Sequence, residues 1–373
     1  MQFKELNEIV NECKRFARKE IREQVLEIDL NPSPAALQGI WSKSAQLDIP
    51  SLLLPEVYGG AGYPALCCAL VLDTFASECA GIASVFAHHF AACMPLCESQ
   101  PDYCETYSTR IARMEGYGAE PASVIFPDSP GDGVIELIEK GNALVLTGIT
   151  PPVGNTDSAG FCCIFAKDPI QPDGITCLFL DRDRIENSRG KDIHLPGLKI
   201  NPFRKLHFQD LKISSADIIG ERGKSSDLMK KTRSAFYGFV SAIALGCTRS
   251  AYQKALTYAG QRYQYGNTII HHQEIQRMLG AMLMKLQMGT SGTIQLFSEE
   301  KLNLLFSAPD PMLTKSFCTD MAMEIIIDAI QIHGGYGYMH EYGLEKIMRD
   351  VKVLQLLGGS NPYHHVQVIA EQL

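Results

Sequence analysis

From residue 1 to about 120, apolar residues recur at spacings of three and four, which marks helices that each bury one face. Turn signals at Asn31-Pro32, Tyr58-Gly59-Gly60 and Gln100-Pro101 divide this stretch. Met1 to Arg22 mixes charges along an amphipathic pattern without an apolar run, so it predicts a helix and not a signal peptide. Cys79 to Cys97 carries no Asp, Glu, Lys or Arg. It contains His88, His89, Pro95 and many small residues, which predicts a buried helix and no membrane span.

Between about 122 and 222 the period changes. Short β-rich runs are predicted at Ser123–Phe126, Val134–Ile138, Ala143–Thr147, Phe161–Ala166, Ile175–Leu180 and Lys205–Phe208. Turn residues such as Gly131-Asp132-Gly133, Gly141-Asn142 and Pro172-Asp173-Gly174 separate them, as in a small sheet or barrel. Helical spacing returns over Leu228–Tyr263, Gln273–Leu305 and Leu313–His333. The strands are not interleaved with helices, which argues against a doubly wound nucleotide fold. Three units follow: an N-terminal helical domain (1–121), a middle β domain (122–224) and a C-terminal helical domain (225–373).

Composition adds exclusions. With 34 Lys+Arg against 42 Asp+Glu the chain is acidic, unlike a nucleic-acid binder, which needs a basic face. Its 20% charged and 46% hydrophobic residues describe a globular chain, not a disordered one. The twelve cysteines form no CxxC, and most sit in apolar surroundings. Reduced, buried thiols in the cytoplasm are the expectation. Neither Cys93, Cys97 and Cys104 nor the adjacent His271-His272 has metal-ligand spacing, so no metal site is expected.

Two segments carry candidate chemistry. Arg262-Tyr263-Gln264-Tyr265-Gly266, followed by His272-Gln273, sets a guanidinium at a helix end, where it can grip a pyrophosphate. Gln331-Ile332-His333-Gly334-Gly335-Tyr336-Gly337-Tyr338 offers a glycine pair where backbone can approach a ligand, with an amide a turn earlier. Arg349-Asp350 follows it.

These segments resemble the acyl-CoA dehydrogenase family, as do Leu54-Pro55-Glu56-Val57-Tyr58-Gly59-Gly60-Ala61-Gly62 and Ile219-Gly220-Glu221-Arg222-Gly223. The matches fall in order along nearly the whole chain. The resemblance implies a helical–β–helical fold ending in a four-helix bundle, bound FAD, and oxidation of an acyl-CoA thioester between its α and β carbons. It also implies electron transfer to an electron-transferring flavoprotein and an oligomer with FAD at a subunit interface. Arg262, Tyr265, Gln273, Gln331, Gly334 and Gly335 match its cofactor-binding positions.

The departures are as specific as the matches. The family's catalytic glutamate corresponds to Gly358, followed two residues on by Ser360 in place of threonine. The alternative glutamate position, on the first C-terminal helix, is Phe236. The first β-domain loop reads Phe126-Pro127-Asp128-Ser129-Pro130-Gly131-Asp132, and the flavin-facing Trp-Ile-Thr becomes Pro152-Val153-Gly154. The only tryptophan, Trp41, lies elsewhere. Three readings follow. In one, the chain is an oxidoreductase whose proton-transfer group has moved, with His88 and His89 as candidates and Cys93, Asp128 and Asp132 nearby in the same regions. In a second, it is a non-catalytic subunit paired with a complete paralogue, to which it lends cofactor contacts. In a third, it is a flavoprotein with a different reaction that needs no such base, such as reduction or oxygenation.

Overall fold

The computed structural model describes residues 3–98, 101–127, 134–298 and 309–373. The candidates Asp128 and Asp132 lie outside these residues, as does the end of the segment expected over Gln273–Leu305.

Six helices come first: α1 (Phe3–Phe16), α2 (Val25–Leu30), α3 (Pro34–Ala45), α4 (Ala65–Ala76), α5 (Ala80–Glu98) and α6 (Pro101–Ala112). Ser33 caps α3 by accepting from the Ala36 N–H, with Pro34 at the first helical position. The uncharged segment is α5, long and apolar enough to cross a membrane and almost wholly buried within the fold. It packs against the long helix over Ser226–Gln261 and against the first strand. Trp41 is fully buried, its ring 5.0 Å from that of Phe86 on α5.

The middle of the chain forms β1 (Ala122–Ile125), β2 (Glu136–Lys140), β3 (Ala143–Ile149), β4 (Phe161–Lys167) and β5 (Ile175–Asp181). The short helix α7 (Arg182–Glu186) precedes β6 (Arg189–Ile193), β7 (Phe203–Ile213) and β8 (Ile218–Ile219). The sheet order is β6-β7-β3-β2-β4-β5-β8, with β1 added parallel to β4. Alternation along β4 divides its side chains between two cores. Phe161, Cys163 and Phe165 join the helices, while Cys162, Ile164 and Ala166 pack with Leu137, Leu178 and Leu206.

Helices resume with α8 (Ser226–Gln261), α9 (Gln273–Leu296), α10 (Pro311–His333), α11 (Leu344–Leu354) and α12 (Asn361–Ala370). The helical, sheet, helical order is as expected. All six anticipated strands are present within a few residues, whereas β6 and β8 were not anticipated from the pattern.

Candidate functional site

A cavity of about 720 Å³ opens where helices and sheet meet. Its floor is buried and mostly apolar: Val124 and Ile125 of β1, Val153 of the loop after β3, Phe203 of β7 and Phe236 of α8. His88 of α5 is the polar side chain among them, 3% exposed. The outer wall carries Lys230 and Glu371, both exposed. This size is in the range of small-molecule and cofactor sites.

His88 is held in one orientation. Its Nδ1 is 2.8 Å from the Ser84 carbonyl, so Nδ1 bears the proton and Nε2 is bare. The rings of Phe203 and Phe236 meet it edge-on at 5.9 and 5.1 Å. Burial pushes its pKa down to about 4, only partly opposed by the hydrogen bond to the Ser84 carbonyl. Among the described residues, Nε2 has no hydrogen-bond partner.

The bare edge of the ring faces Gly154. A Cβ there would come within 2.8 Å of His88 Cε1 and 2.9 Å of His88 Nε2 and Asn201 Nδ2. The imidazole therefore fills the room a side chain at 154 would take. Asn201 donates to Ser84 Oγ at 2.9 Å and accepts the Asn155 N–H at 2.7 Å. Asn155 donates to the Val85 and Ala122 carbonyls at 2.9 and 2.8 Å. The 154–155 loop, the start of β1 and the His88 turn of α5 thus form one hydrogen-bonded unit.

His89 points elsewhere. Its Nε2 meets the Pro50 carbonyl at 2.9 Å and its Nδ1 accepts the Ala122 N–H at 3.1 Å, so both nitrogens are committed and the ring does not line the cavity. Cys93 is fully buried behind it, with Sγ 3.6 Å from His89 Nε2, and desolvation raises its thiol well above the usual value.

Gly358 and Phe236 both line the cavity. Gly358 has φ +73°, and a Cβ built there would lie 2.8 Å from Tyr237 Cε1. The Tyr237 hydroxyl donates to the Gly358 carbonyl at 3.0 Å, and His364 Nε2 donates to the same oxygen at 3.1 Å. Lys315 lies beneath this wall, fully buried. Its Nζ donates to the Gln355 and Gly359 carbonyls and to Asn361 Oδ1, each at 2.9 Å. Burial pushes its pKa down to about 7, although three oxygens match three N–H bonds.

The second sequence cluster builds a separate cleft. Arg262, Gln331, Gly334 and Gly335 converge there with Tyr258 and Tyr336. Arg262 has no ion-pair partner among the described residues, and its guanidinium lies 6.0 Å from the Tyr336 ring centre. Nothing lies within 4 Å of a Cβ built on Gly334 or Gly335. Tyr265, 96% exposed, and Gln273 stand outside this cleft. The sequence signals identified Arg262 and the glycine pair but not Tyr258, which carried no motif.

Asp29, His340 and Glu345 also converge. The Arg349 guanidinium occupies their centre, bonding Asp29 at 2.6 Å and Glu345 at 2.7 Å, so the cluster is an ion-pair network tying α2 to α11.

Two family descriptions match. "Acyl-CoA dehydrogenase, N-terminal domain" covers residues 4–115 and "Acyl-CoA dehydrogenase, C-terminal domain" covers 238–373. The cyclohex-1-ene-1-carbonyl-CoA dehydrogenase of Syntrophus aciditrophicus is 27% identical, over 95% of this chain and 88% of its own length. The 3-(aryl)acrylate reductase of Clostridium sporogenes is 27% identical over the full length of both. The solved butyryl-CoA dehydrogenase from Megasphaera elsdenii shares the fold, with a TM-score of 0.84, 23% identity, and coverage of 97% of this chain and 96% of that one. The chain belongs to the acyl-CoA dehydrogenase family of oxidoreductases, whose cofactor is FAD.

Proposed function

We propose that this chain is an FAD-dependent oxidoreductase acting on the CH–CH group of an acyl thioester, with no proton-transfer carboxylate at position 358. The observation that carries the reading is the 720 Å³ cavity, walled by family-equivalent elements but closed at 358 by Tyr237. The relatives named for a cyclohexenecarbonyl thioester and for 3-arylacrylates favour a ring-bearing, conjugated acyl group. So do the rings of Phe126, Phe203, Phe236, Tyr237 and Tyr363 around the cavity.

The residues present fit the cofactor. Phe126, Pro152 and Val153 offer an apolar wall to a tricyclic ring. Arg262 is a cation without an ion-pair partner among the described residues, beside an unobstructed glycine pair, the donor set a diphosphate needs. That cleft is separate from the cavity, which supports an oligomer in which one chain meets a neighbour's cofactor. Bound FAD would supply the hydride acceptor or donor. The chain's own contribution is positional: the buried floor is mostly apolar, and Tyr237, His364 and Lys315 fix the 355–361 wall. A cytoplasmic setting with electron exchange through an electron-transferring flavoprotein completes the reading. All eleven described cysteines are free, which agrees with a reducing compartment.

The closure at 358 also favours a second reading, a non-catalytic subunit that keeps the Arg262 cleft for a complete paralogue's cofactor. One measurement separates the two. The purified chain is loaded with FAD, the flavin per chain is counted, and the visible band is followed with a panel of acyl-CoAs. One flavin per chain and bleaching by a ring-bearing acyl-CoA support the first reading. Flavin retained only with a paralogous subunit supports the second.

A further inference from the structure

The space a side chain at 358 would take holds a titratable group. The atoms nearest to a Cβ built on Gly358 belong to Tyr237 and Phe236, and Tyr237 is buried yet lines the cavity. The other titratable groups of the lining are placed elsewhere. Lys230 and Glu371 stand exposed on the outer wall, and Asp310 caps α10 by accepting the Leu313 N–H at 2.9 Å. His88 faces Gly154, and Tyr363 lies against Gly359. The Tyr237 hydroxyl can also give up its proton without orphaning its acceptor. It donates to the Gly358 carbonyl at 3.0 Å, and His364 Nε2 donates to the same oxygen at 3.1 Å, so that carbonyl keeps a donor when the phenol turns to a ligand. Around the phenol stand His364 of α12, with 4.9 Å between ring centres, and Arg233, one turn earlier on α8. Behind the wall, Lys315 of α10 donates to the next carbonyl, that of Gly359.

We infer that Tyr237 is the catalytic residue that exchanges a proton with the α carbon of the acyl thioester, in place of the family's glutamate, and that it suits the chain to reduction of conjugated, ring-bearing thioesters. The inference rests on the acyl-thioester reading and deepens it. A carboxyl ordinarily titrates at about 4 and a phenol at about 10. Near neutrality a carboxylate is therefore ready to take the α proton, whereas a phenol holds one ready to give. In the reductive step the β carbon receives a hydride from reduced FAD, which supplies both electrons, and the double-bond pair moves to the α carbon. The Tyr237 O–H bond breaks as its proton joins that carbon. The phenolate regains a proton from water entering the cavity. The ionised phenol runs the same step in reverse.

The test uses the FAD-loaded protein and (phenylthio)acetyl-CoA, a ring-bearing thioester whose β atom is sulfur and can yield no hydride. Only α-proton transfer remains, and proton NMR in heavy water follows it as loss of the CH₂ signal. The unaltered chain is expected to exchange that signal about a hundredfold or more faster than Tyr237→Phe, the usual effect of a positioned acid–base group. Equilibrium dialysis should find similar dissociation constants for the two proteins, because Phe keeps the ring. On the unaltered chain, exchange above the protein-free rate should climb about tenfold per unit between about pH 6 and 8, as the ionised phenol becomes commoner. Over the same range, anaerobic reoxidation of dithionite-reduced flavin by cinnamoyl-CoA should keep a level rate. These two profiles decide if Tyr237→Phe fails to fold. An exchange rate already level there, or a reoxidation rate that drops with pH, marks a more acidic group and overturns the inference. Binding without exchange, or exchange that Tyr237→Phe leaves unchanged, also overturns it and leaves the acyl-thioester reading standing. If the thioesters do not bind, that reading falls and the inference falls with it.

Discussion

The Tyr237 hydroxyl donates to the Gly358 carbonyl at 3.0 Å, and its ring lies 2.8 Å from where a Cβ at 358 would sit. The glutamate position of the family is thus occupied by a neighbour's ring as well as lacking a carboxylate. Replacing the residue alone cannot restore it. Gly358→Glu should destabilise the chain by about 2–4 kcal/mol, from overpacking plus a left-handed backbone that a side chain resists. It should confer no flavin bleaching by acyl-CoA. Gly358→Glu with Tyr237→Ala should recover part of the stability. Urea denaturation and acyl-CoA titration read both quantities, and a stable, active single variant would contradict the closure.

Gly154 and His88 form a second such pair. Gly154→Ala should cost about 1–3 kcal/mol, because the new methyl meets the imidazole and the Asn201 amide. Combined with His88→Ala, its cost should fall by about 0.5–3 kcal/mol relative to the sum of the singles. Denaturation midpoints of the four proteins in the cycle give the coupling, and strict additivity would show the two positions to be independent.

Arg262 is exposed and without an ion-pair partner among the described residues, so Arg262→Ala should leave stability within about 0.5 kcal/mol. FAD affinity should weaken by about tenfold or more, the loss expected for one charge-assisted contact to a diphosphate. Arg262→Lys should fall between, because an ammonium keeps the charge without the fork. Fluorescence titration with FAD measures all three proteins.

Lys315 makes a pH-dependent contribution of known sign. Its pKa is about 7 when folded and near the ordinary lysine value when unfolded, so the unfolded chain binds the extra proton between those values. Stability from this group therefore rises as pH increases from 7 towards 10, with a slope of at most about 1.4 kcal/mol per pH unit. Below pH 7 both states are protonated and the slope vanishes. Lys315→Met should lower stability overall and remove this part of the slope. Melting curves from pH 6 to 10 on both proteins test the difference.

The helical–β–helical plan was legible because hydrophobic periodicity changes near residues 122 and 225, and β3, β4 and β5 announced themselves as apolar runs between turns. β6, Arg189–Ile193, escaped notice because three of its five residues are charged and none is fully buried. β8 has only two residues. At the site, Arg262 and Gly334-Gly335 were readable as motifs. The pairings His88–Gly154 and Tyr237–Gly358 were not, since each joins residues distant in sequence through a contact that leaves no local pattern. His89 looked equivalent to its neighbour. Adjacent residues on a helix point in different directions, and only the fold shows which one meets the cavity.

β4 lends one face to each of two cores, so it acts as a shared partition. A slip of one residue would empty the helical core of two phenylalanines and force them into the sheet core, an error neither core could absorb alone. Melting of either core strips the other of a wall. The cavity floor, assembled from β1 beside that strand and from the helices it supports, is therefore as durable as the whole chain, and ligand recognition should vanish in the same transition as the fold.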